Sequence, residues 1–326
     1  MTATLRNRTF GLLAAALLLA AAGAVPLSAQ LGGLGGALRR AAGSIDPSSL
    51  MGNNHPITTS LPDARWAVDS LDNFNPREAF RAMTELQRTP NGGFVLQAGA
   101  YQYQSQSYCL KAGTHGPGGG DGYLYAPTKG PAEDQVMAIL RNSVQHPEID
   151  QHDIQYLLWA IIARAKFEDL PAEQKATAAR LLTPRQIATL NRSALDLLPG
   201  ASLDAALQRV PGPVRQVLQA EAQLRQMMTT PGTSFEELER VAVLAGVAPP
   251  GEGSLAVPSG RWSLHPDGYY VRYIPSGYSS TRVQVWVPQG SPAVGKEFDP
   301  ATQIAVPGNT SRQRLVQSGR MHPMSD

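Results

Sequence analysis

From residue 94 to residue 110 the chain alternates, with Tyr101, Tyr103, Ser105, Ser107 and Cys109 falling on one face. A period of two predicts one strand there, or two. The Asn91-Gly92-Gly93 turn precedes it, and a Gly-rich loop over 114–122 leads to a short aromatic strand, Tyr123-Leu124-Tyr125. The period then changes. Pro131 suits a first helical position, Glu133 and Asp134 suit the positive end of the dipole, and Val136, Ile139, Leu140 and Val144 form one stripe. Pro147 ends that helix. Asp150 or Asp153 can cap the next, which runs to about residue 167 and is apolar all round over 156–162, the mark of a core helix. Further helices are expected over 172–182, 185–191, 202–209, 213–228 and 234–245, and a short one over 77–87.

Pro, Gly and Ser over 247–260 read as a linker. Aromatic alternation then returns over 262–288 around a His265-Pro266-Asp267-Gly268 hairpin turn, and 290–326 reads as loop and tail. The expected fold class is α+β: β-strands flanking a mainly helical middle, plus a small C-terminal β unit. The divisions are 64–246 for the α+β domain with its helical extension, 247–260 for the linker and 261–326 for the small unit and tail.

The N-terminus has a different character. Arg6 and Arg8 precede an uncharged apolar run over 12–24, Pro26 breaks it, and Ser28-Ala29-Gln30 offers small residues for cleavage. The run is too short to span a bilayer and fits a secretory signal peptide, residues 1–29, with cleavage after Ala29 or Ala24. Residues 30–63, rich in Gly, Ser, Pro and Asn, read as a flexible leader. The expected address is therefore the periplasm, the cell surface or the extracellular space, with no membrane span in the mature chain. Arg6 and Arg8 account for the whole net charge of +2, so the mature chain is near neutral and lacks the basic stripe a nucleic-acid or anionic-membrane partner needs.

Composition narrows the chemistry. One cysteine and six scattered histidines give no metal-ligand spacing, and no metal or cofactor is expected. There is no G-x-S-x-G elbow, and the Gly-rich loop lacks a GK[ST] end. Cys109 remains. Taken alone it packs as a small hydrophobe. Gln155, however, lies in the first turn of the most apolar helix and shares a stripe with Trp159 and Ile162. A buried amide without partners costs roughly 1–3 kcal/mol, so it needs hydrogen bonds or a reaction. It can bond a backbone, or it can condense with Cys109, releasing ammonia and leaving an internal thioester.

The run Ser107-Tyr108-Cys109, the Gly122-Tyr123 loop end, the helix around Ile139-Leu140-Arg141-Asn142 and the block Ile154-Gln155-Tyr156-Leu157-Leu158-Trp159 resemble, in order and content, bacterial surface thioester domains, over residues 95–165. Ile154 stands where the family has Thr and Leu157 where it has Ala. The resemblance implies a Cys109–Gln155 thioester that attaches covalently to partner amines, with Tyr108, Tyr123 and Trp159 around it. A literal Thr-Gln-x-Ala at Thr302-Gln303-Ile304-Ala305 makes Gln303 a second candidate. Two alternatives stand beside this. One is a cysteine hydrolase or transferase, with His152 as base ahead of His115 and His146. The other is a non-reactive envelope interaction protein that presents Trp262, Tyr269, Tyr270, Tyr273, Tyr278 and Trp286.

Overall fold

A strand with one wholly buried face has to find neighbours on both edges, and the alternating segment finds them far along the chain. The computed structural model describes residues 55–57, 61–64, 76–194, 207 and 212–322, all within one unit, Asp46–Asp326. The expected signal peptide, most of the leader and most of the expected 202–209 helix lie outside the described residues.

The strands are β1 (Arg81–Ala82), β2 (Phe94–Val95), β3 (Gly99–Cys109), β4 (Thr114–His115), β5 (Tyr123–Pro127), β6 (Val243–Leu244), β7 (Ser263–Leu264), β8 (Tyr270–Pro275), β9 (Ser280–Val287), β10 (Glu297–Phe298), β11 (Gln303–Pro307) and β12 (Leu315–Met321). Six α-helices lie among the described residues: α1 (Glu133–Ser143), α2 (Gln151–Ile162), α3 (Ala172–Leu181), α4 (Pro184–Ser193), α5 (Gly212–Met228) and α6 (Phe235–Ala242).

Seven strands run in the order β5-β11-β12-β3-β9-β8-β7, each antiparallel to its neighbours, and β1 adds in parallel to β3. The sheet curls until its ends meet. The Tyr125 N–H of β5 donates to Ser263 Oγ of β7 at 2.9 Å. The result is a nearly closed barrel whose interior is built by period-two rows. Tyr101 pairs with Val285 and Val285 with Val271; Tyr103 pairs with Val283 and Val283 with Tyr273; Ser105 pairs with Thr281. All of these side chains are buried.

This corrects the expected architecture. The protein is β-rich, a barrel-like sheet with helices packed on it, not strands flanking a mainly helical middle with a separate C-terminal β unit. The supposed tail supplies β11 and β12, which lie between β5 and β3 at the centre of the sheet. Every residue of β11 is buried, so it shows no alternation, and Pro300 and Pro307 frame it without interrupting it. The 262–288 hairpin joins β3 through β9. The 77–87 segment forms β1 and a 3₁₀ turn, Met83–Glu85, in place of a helix.

Candidate functional site

The site arises where β3 outruns one neighbour. Pairing with β9 ends at Gln106 opposite Ser280, and the Ser107 N–H still reaches Ser279 O at 3.0 Å. The chain then turns away through Tyr278 and Gly277, whose φ of 75° suits a residue without a Cβ. On its other edge β3 stays paired with β12, with Cys109 opposite Leu315 and the Leu110 N–H bonded to Arg314 O. The backbone groups of Cys109 therefore face the side that β9 has left.

Helix α2 fills that side. Asp150 caps it, its side chain accepting from the His152 N–H at 2.7 Å. From the first turn Gln151 Nε2 donates to Ser107 O (3.2 Å) and Ser279 O (2.7 Å). One turn later, on the same face, Gln155 Oε1 accepts from the Cys109 N–H at 2.7 Å and Gln155 Nε2 donates to Cys109 O at 3.2 Å. The amide acts as one more residue of sheet. Cys109 is 0% exposed and Gln155 1%. From 154 to 162 every residue of α2 is buried, which leaves the glutamine no route to water.

The two bonds hold the Gln155 amide in the plane of the sheet. Strand side chains stand roughly perpendicular to that plane. The Cys109 side chain thus leaves the strand to one side of that plane. The Cys109 N–H on Oε1 is placed to stabilise charge developing on that oxygen. Burial pushes the Cys109 thiol pKa up, and the negative charge of Glu239 on α6 adds to the rise. The Tyr278 hydroxyl donates to Glu239 Oε1, and Tyr278 O accepts from Ser107 Oγ at 2.9 Å, so α6 and the β8–β9 turn close over this end of β3.

The other candidates fall unevenly. Trp159, one turn beyond Gln155, is buried and stacks on Phe235, 5.2 Å between ring centroids, and its indole N–H has no hydrogen-bond partner. Tyr123 is buried with an unpartnered hydroxyl, and burial, Asp121 and the Cys109 charge all push its pKa up. Tyr108 lies on the opposite face of β3 from Cys109, its hydroxyl donating to Gln106 Oε1 at 3.1 Å. Gln303 serves the barrel interior, bonded to the hydroxyls of Tyr273 (3.0 Å) and Tyr269 (2.5 Å). His152 is 62% exposed and stacks on Phe235 at 4.0 Å. No described histidine hydrogen-bonds Cys109. His146 instead sits with Glu148 and Arg180 on the surface, and His115 lies in β4.

Gln151 is not singled out by the sequence, although its four-residue spacing from Gln155 places the two on one helix face. Glu239 has no such signal, and Tyr278 stands out in the sequence only as one of the C-terminal aromatics, because only the fold brings them to Cys109. Among the described residues no cluster of His, Cys, Asp and Glu could hold a metal ion, and no helix is long and apolar enough to cross a membrane. A cavity of about 140 Å³, lined by Gln135, Ile161, Arg164, Phe167 and Leu190 among others, lies at the opposite end of α2 from Gln155. Comparison of the chain with protein-family models, curated proteins and solved structures finds no match.

Proposed function

We propose that this is an exported protein whose Cys109 and Gln155 condense to an internal thioester that captures a partner amine. The observation that carries the reading is the Gln155 amide held on the backbone of Cys109 itself, both residues buried. In the first step the Cys109 sulfur bonds to Gln155 Cδ, the Cδ–Nε2 bond breaks, and the thiol proton leaves with the nitrogen as ammonia. In the second, a primary amine bonds to Cδ, the C–S bond breaks, and the amine proton passes to the thiolate. Burial favours the neutral thioester over a thiolate and keeps water from it.

Intact mass measured on the denatured protein tests this. The expected mass is lighter by one ammonia, and is restored to the sequence mass in Cys109→Ala (less its sulfur) and in Gln155→Ala (less its side chain). Methylamine should add once and release one titratable thiol. A protein of full mass, with a thiol titratable in denaturant from the outset, would overturn it.

The same two hydrogen bonds favour a second reading. They already satisfy the amide, so Gln155 can be a structural clasp that closes the sheet while Cys109 stays a thiol. Full mass with the fold intact would support that reading. A hydrolase using Cys109 is the weakest of the three, because burial raises the thiol and no described histidine hydrogen-bonds it.

A further inference from the structure

Helix α6 closes over the buried pair. At its start the Phe235 ring is sandwiched between His152 and Trp159, at 4.0 and 5.2 Å between ring centroids. Those two residues come three before and four after Gln155 on one face of α2, so the ring lies over the turn that carries the glutamine. At the other end of α6 the Ala242 carbonyl accepts from the Gly113 N–H, four residues beyond Cys109, and from Gln313 Nε2, both at 2.9 Å. Glu239 stands between these anchors, one turn beyond Phe235.

The Glu239 carboxylate accepts from the Tyr278 hydroxyl and, among the described residues, pairs with no Lys or Arg. The Tyr278 carbonyl accepts from Ser107 Oγ at 2.9 Å, and Ser107 comes two residues before Cys109 on the same face of β3. Contacts thus reach Glu239 from the helix of Gln155 on one side and from the strand of Cys109 on the other. The charge effects agree: Glu239 raises the Cys109 thiol pKa, and a charge on Cys109 raises that of the Tyr278 hydroxyl. Glu239 and Tyr278 are half-buried, and Ser276 and Gly277 beside them are exposed, so this closure borders solvent. A neutral hydroxyl leaves the carboxylate without a counter-charge. An ammonium supplies one, and the attraction gains where water is partly excluded.

We propose that Glu239 receives the partner amine: a protonated primary amine displaces the Tyr278 hydroxyl as donor to Glu239, which opens the closure, and Glu239 then takes one of its protons. The inference rests on the thioester reading. An ammonium has no lone pair, so it has to lose a proton before it can attack. The freed amine bonds to Gln155 Cδ, the bond from Cδ to Cys109 Sγ breaks, and the second nitrogen proton passes to the departing sulfur. The Glu239 carboxyl then returns its proton to water.

Two nucleophiles test this on the whole protein, because at neutral pH methylamine is a cation and hydroxylamine is not. Adduct formation with each is followed by intact mass. Glu239→Gln keeps an acceptor for Tyr278 and loses the charge. Its rate with methylamine should fall about tenfold or more. Its rate with hydroxylamine should hold or rise, since the departing sulfur no longer faces a negative neighbour. Tyr278→Phe removes the competing donor and should raise the methylamine rate relative to the hydroxylamine rate. Adducts in the parent with a rate ratio unchanged in Glu239→Gln overturn this proposal alone. A parent of full mass that takes up neither reagent overturns the thioester reading and this proposal with it. If circular dichroism shows Glu239→Gln unfolded, the ratio in Tyr278→Phe decides, and no rise there overturns the proposal.

Discussion

The side-chain amide of Gln155 lies beside Cys109 where a further residue of β9 would lie, with Oε1 2.7 Å from the Cys109 N–H and Nε2 3.2 Å from its C=O. A helix side chain is completing a sheet. Substituting it should therefore cost stability whether or not the pair reacts. In a Cys109→Ala background, which keeps the thioester out of the measurement, Gln155→Met retains the volume and strands two buried backbone groups. The expected loss is about 2–4 kcal/mol, read from urea denaturation. A loss below about 0.5 kcal/mol would show that the amide does not hold the strand.

Cys109 should resist labelling in the native protein. It is fully buried, and both burial and Glu239 hold its thiol above the usual range, so at neutral pH the thiolate fraction is small. Where the thiol is free, as in Gln155→Met, iodoacetamide should modify it only on the timescale of unfolding. Glu239→Gln removes the negative neighbour and should lower the thiol pKa, moving the labelling profile toward lower pH. A profile that stays put would mean that Glu239 does not act on the thiol. A protein that remains unlabelled even in denaturant, until hydroxylamine is added, would have its sulfur in the thioester.

How far the site is legible in the sequence follows from how local its causes are. Alternation from Tyr101 to Cys109 marks the strand and its inner face. The apolar turns after Asp150 make Gln155 conspicuous, and those two facts already bring the pair to notice. The barrel is not legible, because Cys109 pairs with Leu315 and Gln106 with Ser280, and nothing in either segment encodes a partner so distant. β11 misleads for a physical reason: it is buried on both faces and framed by prolines, so it looks like neither an alternating strand nor a helix. Glu239 sits in a Glu-Glu-Leu-Glu-Arg helix that reads as solvated surface, and only the Tyr278 hydroxyl shows otherwise. His152 looks well placed by its nearness to Gln155, yet the helix turns its ring outward onto Phe235.

Tyr123 offers a substitution with an unusual sign. Its hydroxyl is buried without a partner, an arrangement that costs roughly 1–3 kcal/mol. Tyr123→Phe should be neutral or stabilising by up to about 1 kcal/mol at neutral pH. Burial also raises its pKa in the folded protein. The stability linked to this group is full below the unfolded tyrosine value, about pH 10, and is lost as pH rises beyond it. The variant should accordingly lose less stability than the parent between pH 9 and 11 or so, by denaturation at each pH. Destabilisation at neutral pH would give the hydroxyl a role beside the thiol instead.

Arg141 and Asp299 tie α1 to the entrance of β11. Arg141 Nε and Nη2 both reach Asp299 Oδ2, at 2.8 and 2.5 Å, while Oδ1 accepts from the Ala301 N–H at 3.0 Å and so caps the 3₁₀ turn that leads into β11. Burial raises the Asp299 pKa, and Arg141 opposes that rise. Arg141→Ala leaves the carboxylate buried without its counter-charge, and the expected loss at pH 7 is about 2–4 kcal/mol. The sign with pH follows. A carboxyl whose folded pKa is raised favours the fold when protonated, and that contribution fades as pH climbs through the folded value. The variant raises that value further, so its deficit against the parent should shrink as pH falls toward 4, near the unfolded aspartate value of about 3.9. Denaturation of both proteins at pH 7 and pH 4 measures the gap. An equal gap at the two pH values would mean that Arg141 acts through its packing against β11 and not through its charge.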